Sequence, residues 1–133
     1  MKYPPDFTFT PLIKSFNIPK GNSPPLPWKQ RLSICEGTAE GIVYLHTKFS
    51  PPLVHRDVKS PNILLDENFI PKLGDFGIVR LGGRGSANTV IQTTPVGTQM
   101  YMAPEAFRGD VSVKMDTFSF AIVSFFFIRE LKS

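Results

Sequence analysis

The 133-residue sequence predicts a mainly α-helical fold that carries short β-hairpins. Three observations predict it. Apolar residues recur at helical spacing over residues 28–47, four strand-sized apolar bursts lie between residues 53 and 79, and an aromatic and aliphatic run follows Asp116.

The stretch before residue 26 reads as extended or irregular. Seven of the 13 prolines fall in the first 27 residues, and each removes a backbone donor and blocks regular structure. From Pro27-Trp28 the pattern changes: Leu32, Cys35, Ala39, Ile42 and Leu45 or His46 recur at helical spacing, with Lys29, Arg31, Glu36 and Glu40 available for the wet side. This predicts a helix over about 28–47, ended by Pro51-Pro52. Gly37 and Gly41 stand one turn apart, which lets another backbone approach closely. Cys35 reads as core, not as a reactive thiol, and His46 as a solvated or weakly dipole-favoured residue near the helix C-terminus.

Leu53-Val54, Ile63-Leu64-Leu65, Pro71-Lys72-Leu73 and Ile78-Val79 are each strand-sized. Residues 82–98, rich in Gly, Ser, Thr and Asn, predict a mobile loop. A core helix is expected from Asp116. The apolar run between Asp116 and Arg129 is about a dozen residues, short of the roughly 20 that a spanning helix needs, so no membrane span is expected. Phe118, Phe120, Phe125, Phe126 and Phe127 cannot all face one side of that helix, and the helix at 28–47 can cover only part of it. Some phenylalanine surface is therefore expected in water.

Charge and cysteine content narrow the function classes. Lys2, Lys14, Lys20, Lys29 and Arg31 against Asp6 alone account for the whole net charge of +4, and no basic stripe interleaved with aromatics accompanies them. Nucleic-acid binding is therefore not expected. One cysteine forms no internal disulfide, and with two histidines and no Cys-x-x-Cys pair there is no ligand set for a structural zinc. The start shows no apolar leader and position 2 is not glycine, so a cytoplasmic, reducing setting is expected.

The chemistry lies in the octapeptide from His55 to Asn62 (HRDVKSPN), a loop held between two strands. In an extended loop Asp57 and Lys59 project to the same side. A carboxylate, an ammonium and a carboxamide oxygen are what phosphoryl transfer to a hydroxyl requires. One orients the hydroxyl, one offsets charge on the moving group, and one supplies oxygen to a hard divalent ion. Asp75-Phe76-Gly77 begins 18 residues after Asp57, and Ala103-Pro104-Glu105 ends 30 residues after Asp75.

In order, spacing and strand context these motifs resemble the eukaryotic protein-kinase signature. The resemblance implies a partial kinase-like fold, from the helix before the catalytic loop to the helix that starts at Asp116, and ATP and Mg2+ as cofactors. It implies Asp57 as catalytic base, Lys59 on the transferred phosphoryl, Asn62 and Asp75 on magnesium, and Leu64 under the adenine. Asp116 would anchor the loop from below, with His55 and Phe76 as structural residues. Lys59, two residues after the base, points to a serine/threonine kinase, and Thr98 stands where such kinases place a threonine that supports the base. Arg56 is implied to pair with an activation-loop phosphate, for which Thr93 and Thr94 are the candidates. A protein substrate and adaptor or receptor-complex partners follow.

Within that family the sequence looks most like the interleukin-1 receptor-associated kinases and Pelle, which act in Toll/interleukin-1-receptor-type signalling. Pro24 to Trp28 (PPLPW), Gly41 to His46 (GIVYLH), Asn62 to Glu67 (NILLDE), Tyr101 to Gly109 (YMAPEAFRG) and Asp116 to Phe120 (DTFSF) carry this likeness. Plant receptor-like kinases share Asn62 to Asp66 and are a weaker match. Residues 1–21 read as a divergent irregular segment and 22–133 as the partial kinase domain. No Gly-x-Gly-x-x-Gly loop and no Val-Ala-x-Lys strand precede residue 55, so the 133 residues alone are expected to be inactive. A catalytically inactive interaction module and an incomplete gene model remain alternatives. Arg108-Gly109-Asp110 spells an integrin-binding tripeptide, but a kinase loop accounts for it better.

Overall fold

The computed structural model describes residues 10–12, 26–76, 80–81, 91–92 and 97–129. Helix α1 spans Trp28–Lys48. Pro27 caps it, its carbonyl accepting from the N–H groups of Gln30 and Arg31 at 3.0 and 3.1 Å. Its buried stripe is Arg31, Ile34, Thr38, Ile42 and Leu45. This corrects the expected stripe, for Leu32 is exposed and Cys35 and Ala39 are half-buried. Packing decides the roll of the helix. A Cβ on Gly37 would stand 2.7 Å from Pro71 Cγ, and one on Gly41 3.4 Å from Leu73 Cδ1, so the glycines admit the side chains of a neighbouring strand.

Those two distances predict opposite outcomes for the same substitution. Gly→Ala inside a helix ordinarily gains about 1 kcal/mol. At Gly41 the new methyl meets ordinary contact, and Gly41→Ala should raise stability by about 0.5–1 kcal/mol. At Gly37 it meets a rigid proline ring, and Gly37→Ala should lower stability by about 1–3 kcal/mol. Denaturant midpoints of the two variants measure this, and a shift of the same sign in both would contradict it.

Arg31, expected on the wet side, is buried. Its Nη1 donates to Phe127 O at 2.8 Å, its Nε donates to Leu26 O at 3.0 Å, and its guanidinium stands 5.1 Å from the Phe127 ring centroid. The fork thus ties the start of α1 to the end of the second helix, α2, which spans Val113–Arg129. Helix α2 begins three residues before Asp116. Met115, Asp116, Ser119, Val123 and Phe127 line its buried side. Phe118, Phe125 and Phe126 are 38%, 57% and 47% exposed, as the crowding of phenylalanines implied. A polypeptide of these 133 residues should therefore bind a dye for apolar surface and self-associate. Phe118→Ser with Phe125→Ser should weaken both effects, as fluorescence and light scattering would show.

The strands are short and antiparallel. β1 (Thr10–Pro11), β3 (Ile63–Leu65) and β4 (Pro71–Leu73) form one sheet in the order β1-β3-β4. β2 (Leu53–Val54) pairs with β5 (Arg80–Leu81), and β6 (Ile91–Gln92) with β7 (Asp110–Val111). The expected strand at Ile78-Val79 lies outside the described residues. The β3–β4 turn is closed by Asp66, whose Oδ1 accepts from the N–H groups of Asn68 and Ile70.

Two cores result. One holds Leu12, Ile34, Ile63, Leu65, Val123 and Phe127, and the other Val54, Ala103, Ala106, Val111 and Met115. The HRDVKSPN loop runs from Val54 in the second core to Ile63 in the first, so both its ends are pinned in packed apolar surface.

Candidate active site

Asp116 organises the loop from beneath. It is 1% exposed, and its carboxylate accepts three hydrogen bonds: Oδ1 from Arg56 N at 2.9 Å, and Oδ2 from His55 N at 2.8 Å and His46 Nε2 at 2.7 Å. The reading of His46 as a solvated residue is therefore corrected. Nothing in its neighbourhood along the chain signals the contact, since its acceptor lies 70 residues away.

The His55 ring closes the next layer. The Asp57 N–H donates to its Nδ1 at 3.1 Å, which leaves Nε2 as the donor to Gly74 O at 2.8 Å. Phe76 meets the ring edge-on at 5.2 Å between centroids. Gly74 N donates in turn to Asn62 O at 2.7 Å, so the residue before Asp75 is bonded to both ends of the octapeptide. Arg56 and Asp75 both take left-handed backbone, at φ 73° and 52°. Such conformations cost of order 1–3 kcal/mol each and persist only where the surroundings over-determine them. The paired N–H groups on Asp116 do so at Arg56.

Four side chains converge above. Thr98 Oγ1 donates to Asp57 Oδ1 at 3.0 Å and accepts from Lys59 Nζ at 2.7 Å. Asn62 Nδ2 donates to Asp57 O at 2.9 Å and to Asp57 Oδ2 at 3.2 Å, and Lys59 Nζ stands 3.5 Å from the same Oδ2. Thr98 arrives from 41 residues away because Gly97 lets the chain come close: at φ 138°, a Cβ there would lie 3.1 Å from Arg56 O. The structure thus brings Asp57, Lys59, Asn62 and Thr98 together. Leu64 sits half-buried on β3, and Asp75 is exposed directly after Gly74. Thr93 and Thr94 lie outside the described residues, as does most of the loop expected over 82–98.

Both atoms that Asn62 Nδ2 contacts are acceptors, which assigns the amide orientation and makes Oδ1 the oxygen that could meet a cation. The Asp75 carboxylate is likewise a hard oxygen donor, and the chemistry of the two groups fits magnesium. Among the described residues no group of three or more His, Cys, Asp or Glu could hold a metal. Burial pushes the Cys35 thiol up, in keeping with a core cysteine. Arg108 pairs with Asp110 at 3.2 Å, so the two charges of the RGD tripeptide meet each other. Among the described residues no helix is long and apolar enough to cross a membrane.

A carboxylate on a strand-bounded loop, met by the loop's lysine and asparagine and by Thr98, is the arrangement that the motifs led us to expect of phosphoryl transfer. The protein kinase domain family matches residues 13–130, and the chain belongs to that family, whose members are transferases. It is 45% identical over 109 residues to a probable receptor-like protein kinase of Arabidopsis thaliana, a match that covers 81% of this chain and 12% of the relative. It is 48% identical over 99 residues to the Arabidopsis serine/threonine-protein kinase PBS1 (74% and 22%) and 50% identical over 103 residues to the Arabidopsis receptor-like protein kinase HERK 1 (77% and 12%). The chain therefore spans under a quarter of the length of each of these relatives.

Proposed function

We propose that this chain supplies the lower-lobe chemistry of a serine/threonine protein kinase, transferring the γ-phosphoryl group of ATP to a protein Ser or Thr hydroxyl. The Asp57 cluster carries the reading. An ionised carboxylate offers about four lone-pair sites, and Thr98, Asn62 and Lys59 occupy only part of them. A remaining site accepts the proton of the substrate hydroxyl, while Lys59 offsets charge on the transferred group. Asn62 Oδ1 and Asp75 would hold magnesium, which when bound draws charge from the phosphate oxygens. Leu64 would underlie the adenine. Phosphorylation at Thr93 or Thr94 would place a charge of about −1.5 to −2 for Arg56 to pair with.

The narrower kinship with interleukin-1 receptor-associated kinases and Pelle, and a role in Toll/interleukin-1-receptor-type signalling, rests on sequence resemblance, whereas the relatives named above are Arabidopsis receptor-like and serine/threonine-protein kinases. Receptor-like kinases are among these relatives, and we propose a cytoplasmic role at a receptor complex with adaptor partners.

The test is a transplant. Residues 26–129, placed in PBS1 in place of the stretch they match, should give a chimera that phosphorylates a generic basic protein with Mg-ATP. A folded, nucleotide-binding chimera without turnover would overturn the reading. The 133 residues alone should show no turnover, since they contain no glycine-rich phosphate loop.

A further inference from the structure

We propose that a second copy of this chain docks on the outer face of α2, the two α2 helices packing antiparallel about a two-fold axis in a weak, reversible dimer. Residues three and four apart are neighbours on a helix surface. Phe118, Ala121, Phe125 and Ile128 keep that spacing over about 15 Å of α2, the period of a coiled-coil seam. Phe118, Ala121 and Phe125 each stand two residues beyond a buried one, at Asp116, Ser119 and Val123, and a two-residue step turns about 200° round the axis. The seam therefore points away from the loop that Asp116 holds. Phe118 and Phe125 are 38% and 57% exposed, Ala121 is exposed and Ile128 half-buried. Between Lys114 and Arg129 the one charged residue is Asp116, on the buried side, and the Thr117 hydroxyl donates to Val113 O. The seam thus offers a partner apolar contact alone.

The order of side-chain sizes selects a second copy as that partner. A two-fold contact is reciprocal, so that where residue i meets j, j meets i. With the axis level with Val123, an antiparallel copy sets Phe118 against Ile128 and Ala121 against Phe125, and the same two pairs recur in return. Every layer then joins one phenylalanine to one aliphatic residue, and the hollow over Ala121 takes a ring, the even filling that close-packed interiors require. Lys114 falls outside the four layers. A parallel copy would set Phe118 on Phe118 and Ala121 on Ala121, crowding one layer and leaving a gap in the next. The Phe126 ring meets that of Phe125 edge-on, 5.6 Å between centroids, and steadies it. Area sets the strength. The seam presents on the order of a few hundred Å2 per copy, below the roughly 800 Å2 per partner of a stable interface, so half-dissociation on the order of 10–100 µM is expected.

Sedimentation equilibrium of the full 133-residue chain over micromolar concentrations should fit a monomer and a dimer and nothing larger. Ala121→Asp alters an exposed position, so the fold is kept, but the dimer would have to bury an unpaired carboxylate. Its dissociation constant should rise by at least about tenfold, with helicity by circular dichroism unchanged. Direction is read by disulfides, which form only where two cysteines come close. A chain with Ala121→Cys mixed with one carrying Phe125→Cys, both with Cys35→Ala to remove the native thiol, should join unlike to unlike several-fold faster than like to like, as the intact masses resolve. A monomer at every concentration, a mass that climbs past two copies, an Ala121→Asp chain that dimerises within twofold of the parent, or like joined to like faster than unlike would each overturn the proposal. None of these measurements needs turnover, so the result stands apart from the kinase reading.

Discussion

Asp57→Asn in the PBS1 chimera is expected to lower turnover by about 100- to 10,000-fold, the range that a positioned general base contributes. The substitution keeps the size of the side chain and removes the acceptor. Asp57 Oδ1 takes the Thr98 hydroxyl at 3.0 Å, and Oδ2 takes Asn62 Nδ2 at 3.2 Å with Lys59 Nζ 3.5 Å away. An amide nitrogen in either place would face a donor, so one contact is lost and no strong acceptor remains for the substrate hydroxyl. Nucleotide affinity should hold, because Asp57 is not among the residues that would meet ATP or magnesium. Equilibrium nucleotide binding and steady-state kinetics measured side by side decide it. A variant that turns over within threefold of the parent would remove Asp57 from the role of base.

Asp116→Asn should have the largest effect on stability. Both carboxylate oxygens accept from buried backbone N–H groups, and Oδ2 accepts from His46 as well. Whichever way the amide turns, its NH2 opposes at least one of these donors. A buried donor left without an acceptor costs about 1–3 kcal/mol, and loss of the charge adds to it. A loss of about 3 kcal/mol is expected, read as a fall in Tm on the order of 10 °C. Glu40→Gln is the control. Glu40 stands exposed on α1, where a surface substitution changes stability within about 0.5 kcal/mol. Equal destabilisation by the two substitutions would show that Asp116 does not hold the loop.

The sequence by itself determined the extents of α1 and of three strands, and the register of the motifs. The helix expected over 28–47 is Trp28–Lys48, the bursts at 53–54, 63–65 and 71–73 are strands, and the kinase motifs stand in order at their spacings. These are local properties: helical period, chain punctuation by proline, and the strings of residues that carry chemistry. Tertiary structure alone decided which way the helices face. The periodicity of α1 fitted a stripe through Leu32, Cys35 and Ala39, but the proline ring on β4 meets Gly37 and rolls the helix so that Ile34 and Thr38 go inward. Arg31 follows them because the Phe127 carbonyl and ring receive its guanidinium. The hold of His46 on Asp116 was equally illegible. Asp116 reaches back 60 residues to take the Arg56 N–H, and a backbone N–H leaves no mark in a sequence, because nearly every residue carries one.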